Sequence, residues 1–378
     1  MSYESLAVAL TKDLIQVESF SVAGKQNILD FMYDKIKKET NAEVQIIDAK
    51  SDNPFLIAHH KNGNGYKLLL HGHLDTVSLD GVEFPLDPIE RDGEIFGRGS
   101  CDMKAGCACN YAAFKYVCNQ NLPGEVFLMF STDEETYAEQ TVTAFNRGLL
   151  PSCDTGIITE PTNQVLMTAQ KGDAWMEVEF IGKSAHSSIP ELGDNAIYMA
   201  CEFILEYKKY TEEKYKQNPH KALGEAKMNV GVINGGIQAN SVPSSCKIVI
   251  DKRYLPNESI DDFQEEIDQV AQRIKDKDPV FDYRTKLIVD CTPMELDSNS
   301  KKFQQLKEIL ELELGKKLEV DVFGGWAEGG TLAKYNVDTL YFGPGNQRYA
   351  HAADERVGVK DIKEVTKGII AITKKLCI

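Results

Sequence analysis

The stretch Leu68-Leu69-Leu70-His71-Gly72-His73-Leu74-Asp75-Thr76-Val77 constrains this chain more than any other. A short, unbroken apolar run reads as a strand buried on both faces, hence as a parallel strand with helices packed over it. The run ends abruptly in polar, metal-capable residues, and in open α/β sheets ligands bind beyond the carboxyl ends of the strands. His73 can bind a metal through one imidazole nitrogen while Asp75 accepts a hydrogen bond from the other, which fixes the tautomer. A hydrogen-bonded strand-end histidine without a metal is the alternative for this motif taken alone.

Other strand ends carry similar chemistry. Val126 to Ser131 is a second apolar strand and leads into Thr132-Asp133-Glu134-Glu135. Neighbours in extended chain point opposite ways, so one glutamate can bind metal while the other faces a reacting water. A solvated acidic turn is the alternative. Thr155 to Thr159 is a third strand, ending in Glu160-Pro161, where proline stops the ladder just past the carboxylate. In Gly97-Arg98-Gly99-Ser100-Cys101-Asp102-Met103-Lys104 the glycines let the backbone turn around whatever Asp102 holds. Asp102 also precedes a helix predicted over Lys104 to Val117, where it could serve as an N-cap. A last buried strand, Asp338 to Phe342, is followed by Gly343-Pro344-Gly345 and then His351. If His73, Asp102, Glu134, Glu135, Glu160 and His351 converge, they supply the nitrogen and oxygen ligands zinc takes, with carboxylates enough to bridge two ions. His59 and His60 have no acidic neighbours at ligand spacing and are expected to be exposed on a strand. Cys101, Cys107 and Cys109 are better read as small buried residues than as a thiolate site.

The chain has 378 residues, more than one ordinary core holds, so two domains are expected. Its character changes at Trp175. Strand Trp175 to Ile181, helix Asn195 to Lys216, strands Lys227 to Ile233 and Cys246 to Tyr254, helix Ser259 to Lys275 and strand Thr285 to Asp290 follow in the order βαββαβ, the ferredoxin-like split. The reading is an α/β protein: a mixed central sheet flanked by helices forms a discontinuous catalytic domain over 1–173 and 291–378, and a ferredoxin-like α+β lid or dimerisation domain is inserted over 174–290. A net charge of −16 argues against nucleic acid or an anionic membrane as partner. The first 17 residues form an amphipathic pattern interrupted by charges, which is not a signal peptide, and the odd count of nine cysteines suits a reducing, cytoplasmic setting.

Taken in order, these motifs resemble the co-catalytic zinc amidohydrolases and exopeptidases that include acetylornithine deacetylase, succinyl-diaminopimelate desuccinylase, glutamate carboxypeptidase and aminoacylase. The resemblance runs from Leu68 to Val357. It implies two Zn²⁺ ions per chain, with Co²⁺ or Mn²⁺ as substitutes. Asp102 would bridge them, His73 and Glu160 would bind one, and Glu135 and His351 the other. Asp75 would support His73, Glu134 would be the general base, and the peptide after Asp102 would be cis. Within the inserted domain, Gly182-Lys183-Ser184-Ala185-His186-Ser187 is similar to the segment whose histidine reaches a partner subunit's active site. Asn240-Ser241-Val242-Pro243 and Asp251-Lys252-Arg253-Tyr254 are similar to segments that give an asparagine and an arginine to the substrate. Gly329-Gly330-Thr331 matches a substrate-shaping loop, but Leu332-Ala333-Lys334 follows where many members have an aspartate and then a basic residue. The implied protein is a homodimer that cleaves an N-acyl amino acid or a short peptide. Acetylornithine deacetylase is the first expectation, with succinyl-diaminopimelate desuccinylase or a carboxypeptidase or dipeptidase as alternatives. A non-catalytic binding protein on this fold would lack a ligand or the base, and none is missing here.

Overall fold

The structure is a computed structural model describing residues 1–120, 122–136 and 138–377. The described chain forms two compact units. One comprises Met1–Thr168, Glu295–Phe323 and Ala327–Ile378, and the other Ala169–Met294 with Gly324–Trp326.

The first unit is built on a mixed sheet. Its strands run in the order Glu43–Ile47, Phe55–Asn62, Gly124–Ser131, Lys67–His73, Thr155–Ile158, Thr339–Tyr341, Leu166–Gln170, Met294–Glu295, and Val320–Phe323 pairs with Leu166–Gln170. Lys67–His73 lies parallel to both of its neighbours, with Leu70 opposite Leu128 on one side and Ile157 on the other. Leu68, Leu69 and Leu70 are fully buried, and all eight residues of Gly124–Ser131 are buried. Such strands read as continuous apolar runs because helices cover the sheet. Helix Lys104–Gln120 packs against helices Tyr3–Ile15 and Val359–Leu376. The first of those turns Ala7, Leu10 and Leu14 inward at helical spacing, and its start is capped by Ser2, whose hydroxyl accepts from the Ser5 amide.

Parallel pairing decides where the chemistry goes. Because His73 pairs with Ser131 and His71 with Ile158, the three strands end side by side, and the segments carrying Glu134, Glu135 and Glu160 leave the sheet next to His73. Gly106 lets the helix come close at this point: a Cβ there would sit 2.1 Å from the Thr159 carbonyl oxygen, one residue before Glu160.

The second unit is a four-stranded antiparallel sheet ordered Lys227–Gly235, Ser245–Arg253, Asp173–Ile181, Tyr283–Cys291, with helices Ala196–Lys214 and Ile260–Lys275. Alternate residues Ala174, Met176, Val178 and Phe180, and Cys246, Ile248 and Ile250, face one core with Phe203, Tyr207, Phe263 and Ile267 of the helices. Helix Ile260–Lys275 begins with a capping box between Ser259 and Asp262.

Some elements are too short to show a period. Strands Ile89–Arg91, Glu94–Phe96 and Arg356–Gly358 make a small separate sheet, and Gln140–Asn146 and Gly329–Lys334 are short helices. The expectation for His60 is corrected: it is 4% exposed, on an interior strand of the sheet, Phe55–Asn62, whose residues Phe55 to Ala58 are buried as well. His59 is half-buried and stacks on Phe127 at 4.3 Å.

Candidate metal centre

His73 is the last residue of its strand and is buried. Its Nδ1 lies 3.0 Å from the backbone carbonyl oxygen of Asp75 and 3.5 Å from the Asp75 carboxylate. A carbonyl can only accept, so Nδ1 carries the proton and Nε2 presents its lone pair once the ring is neutral. The orienting contact expected from the Asp75 side chain thus comes more closely from its main chain. The Asp75 carboxylate instead accepts from the amide of Glu135 at 3.1 Å, which holds the acidic turn against the strand end.

Three carboxylates face His73 Nε2: Asp102 at 3.1 Å, Glu134 at 3.8 Å and Glu160 at 3.9 Å. The other oxygen of Asp102 lies 3.4 Å from His351 Nε2, and His351 is in turn 3.0 Å from Glu135. Donor atoms of His73, Asp102 and Glu135 all lie within 4.8 Å of one another. Asp102 therefore stands between two histidines, one oxygen toward each, with Glu134 and Glu160 on one side and Glu135 on the other. The Asp102–Met103 peptide is cis.

Negative charge is concentrated in this cluster. Burial drives Glu134 well above the usual carboxylate range, and the charges of Glu160, Glu135 and Asp102 push the same way against His73. Burial and the charge of Asp102 take Glu160 to about 8. Hydrogen bonds that His351 donates to the carboxylates of Asp102 and Glu135 lift it to about 10. Asp102 stays below its usual range, because the imidazoles of His351 and His73 outweigh its burial. Two imidazoles among five buried or half-buried carboxylates leave an excess of negative charge that divalent cations would neutralise. The donors are imidazole nitrogen and carboxylate oxygen, a set that suits zinc, cobalt or manganese. The neighbouring thiols are committed elsewhere: Cys101, Cys107 and Cys109 donate to the carbonyls of Asn346, His73 and Ile362, respectively.

The remaining site candidates divide between the two units. Gly329 and Gly330 open the short helix of the first unit and are buried, and the Gly329 amide donates to the Tyr341 hydroxyl at 2.9 Å. In the second unit His186 and Asn240 lie on adjoining exposed loops, with the Ser187 amide donating to the Asn240 carbonyl at 3.1 Å. His186 Nδ1 accepts from the Ser188 amide at 3.2 Å. Arg253 is held by carboxylates of its own unit, Asp251 and Asp173, each at 3.0 Å.

Two residues matter more than their sequence context suggested. Glu355 is 1% exposed and accepts from the Arg98 guanidinium at 2.7 Å and from the amides of Gly99, Cys101 and Asp102 at 2.9–3.0 Å. Glu328, also buried, lies 2.9 Å from His71 Nε2 and accepts from the hydroxyls of Ser131 and Thr141. An acid in a polar loop looks solvated until its donors are known. The signals available were its position four residues beyond His351 for Glu355, and for Glu328 a strand histidine, His71, in a wholly buried run.

Comparison with known proteins identifies relatives of the chain and of its fold. Residues 168–279 match the peptidase dimerisation domain. A Staphylococcus aureus protein named "probable succinyl-diaminopimelate desuccinylase" is 30% identical over 85% of this chain and 90% of its own length. The acetylornithine deacetylase of Myxococcus xanthus is 28% identical over 80% of this chain and 79% of its own. Among solved structures, an aminopeptidase from Bacillus cereus superposes with a TM-score of 0.77 at 19% identity, covering 99% of both chains. An M20 family metallo-carboxypeptidase from Sulfolobus solfataricus does so with a TM-score of 0.75 at 18% identity, covering 98% of this chain and 99% of the other. The chain belongs to the M20 family, metal-dependent hydrolases that act on linear amides.

Proposed function

We propose that this protein is a two-zinc deacylase that hydrolyses the amide bond of an N-acyl amino acid. The observation that carries the reading is Asp102, with one oxygen facing His73 and the other facing His351 among carboxylates in excess of their counter-charges. Glu160 would complete the ligands on the His73 side and Glu135 those on the His351 side. When bound, the ions supply Lewis acidity, polarising the scissile carbonyl and making water acidic near neutrality.

The rest is the work of the chain's own groups. Glu134 takes the proton of the attacking water on a carboxylate oxygen and returns it to the leaving amine nitrogen. Asp75 holds the turn that carries Glu135, and its carbonyl holds His73 in the tautomer that offers Nε2. His186 would hydrogen-bond the developing oxyanion from a partner subunit, the second unit serving as lid and dimer contact. Asn240, Arg253 and the Gly329–Gly330 turn would register the substrate. Arg253 would pass from Asp251 and Asp173 to the substrate carboxylate, a planar fork suited to that group.

Acetylornithine is our first substrate and N-succinyl-diaminopimelate the second, the latter favoured by the name of the Staphylococcus relative. Turnover of both compounds, with N-acetyl amino acids and dipeptides as further substrates, tests the reading on the zinc-loaded protein. We expect one acyl amino acid to exceed every dipeptide in kcat/KM. Cleavage of dipeptides alone would replace deacylase by peptidase.

A further inference from the structure

We propose that Glu355 is the positioning residue that aims the Asp102 carboxylate at both histidines, and so sets metal affinity without binding a metal. The inference rests on the reading of Asp102 as the shared ligand.

Two segments must be held together for Asp102 to face His73 and His351 at once, and they are remote in sequence. The structure joins them by a short ladder: Arg356–Gly358 pairs antiparallel with Glu94–Phe96, Arg356 lying opposite Phe96. Just beyond that pair the Gly97 amide donates to the Glu355 carbonyl at 3.1 Å. The ladder stops there, and the chain from Arg98 to Asp102 turns away from it. From that point the Glu355 side chain takes over. One carboxylate oxygen accepts from the Arg98 guanidinium and the Gly99 amide, at 2.7 and 3.0 Å, and the other from the amides of Cys101 and Asp102, at 2.9 and 3.0 Å. The carboxylate thus grips the main chain at Asp102 itself. Arg98 is anchored in turn through Nε to the Ser78 carbonyl, and the Cys101 thiol donates to the Asn346 carbonyl, five residues before His351. Four donors converge on this one buried anion, so the loop amides have no simpler way of being satisfied.

Glu355→Gln removes half of that. Whichever way the amide lies, its oxygen serves one pair of donors and its NH2 group confronts the other pair. Outer partners of metal ligands typically change metal affinity by about 10–100-fold. The test is zinc affinity of the apo protein by chelator competition, together with the visible absorption of the Co²⁺-loaded protein, for the parent, Glu355→Gln and Asp102→Ala. We expect Asp102→Ala to lose both ions. We expect Glu355→Gln to remain folded and to bind zinc 10–100-fold more weakly, with an altered cobalt spectrum, which a purely structural role would leave unmoved. Parental zinc affinity and spectrum in Glu355→Gln, with Asp102→Ala metal-free, would overturn this inference alone. Two ions bound normally by Asp102→Ala would overturn the shared-ligand reading and this inference with it. Should Glu355→Gln fail to fold, Arg98→Met keeps the amide contacts and removes the charged donor. A smaller weakening in the same direction is then expected, and unchanged affinity would overturn the proposal.

Discussion

At the residue scale the pattern is one of paired buried charges supporting an unpaired excess. Glu328 shows how such a pair behaves. Its burial favours the neutral form, yet the His71 imidazole and the hydroxyls of Thr141 and Ser131 prevail and hold it at about 2, against an ordinary 4.5. A carboxyl depressed on folding stabilises the native state above its unfolded pKa and ceases to do so as pH falls through the folded one. Glu328→Gln should therefore lower stability at pH 7 by about 3–5 kcal/mol, the usual cost of breaking a buried pair. The gap from the parent should close as pH falls from 4.5 to about 2, between the carboxyl's ordinary value and its depressed one in the native state. Denaturant midpoints of both proteins across that range measure it, and a gap constant with pH would mean the pair contributes nothing by its charge. The ligand candidates were legible because each closes an apolar run or a glycine-rich turn, where a charge has no reason to stand unless something needs it. Glu355 and Glu328 were not legible as supports, because their partners are main-chain amides and residues far along the chain.

At the element scale, periodicity carried the long helices and central strands, since burial on one face or two leaves a pattern that a reader can count. It failed for strands Ile89–Arg91, Glu94–Phe96 and Arg356–Gly358 and for helices Gln140–Asn146 and Gly329–Lys334, short elements defined by what they pair with or pack on, as Arg356–Gly358 is by Glu94–Phe96. Close approach leaves an equally faint mark. Gly106 sits where helix Lys104–Gln120 touches the end of strand Thr155–Ile158, and Gly343 presses on the same place from the opposite segment, its Cβ position 2.2 Å from the Glu160 carbonyl oxygen. Gly106→Ala should cost about 1–3 kcal/mol by overpacking. It should also weaken zinc binding, because the displaced backbone carries Glu160. Melting temperature and chelator competition test this together. Parental values for both would show that the helix can shift without disturbing the ligand.

At the scale of the whole molecule, the ferredoxin-like order was legible from strand and helix succession, whereas which sheet edge stays open needed the strand pairing. Among the described residues Lys227–Gly235 is an edge strand, paired only with Ser245–Arg253, and it leaves Val232 and Ile233 exposed. If a second copy covers this edge and supplies His186, then Ile233→Lys should fold, retain its metal and sediment as a monomer with much reduced turnover. A fully active monomer would separate catalysis from dimerisation. No helix among the described residues is long and apolar enough to cross a membrane. The account rests above all on a two-metal centre organised by Asp102 and served by Glu134 as base. The most direct measurement adds zinc stepwise to chelator-stripped protein while following hydrolysis of an N-acyl amino acid, with Glu134→Ala alongside. The account requires activity to rise until two equivalents per chain are bound, and Glu134→Ala to bind the same two with nearly all turnover lost. Full activity in metal-free protein, or parental turnover by Glu134→Ala, would contradict it.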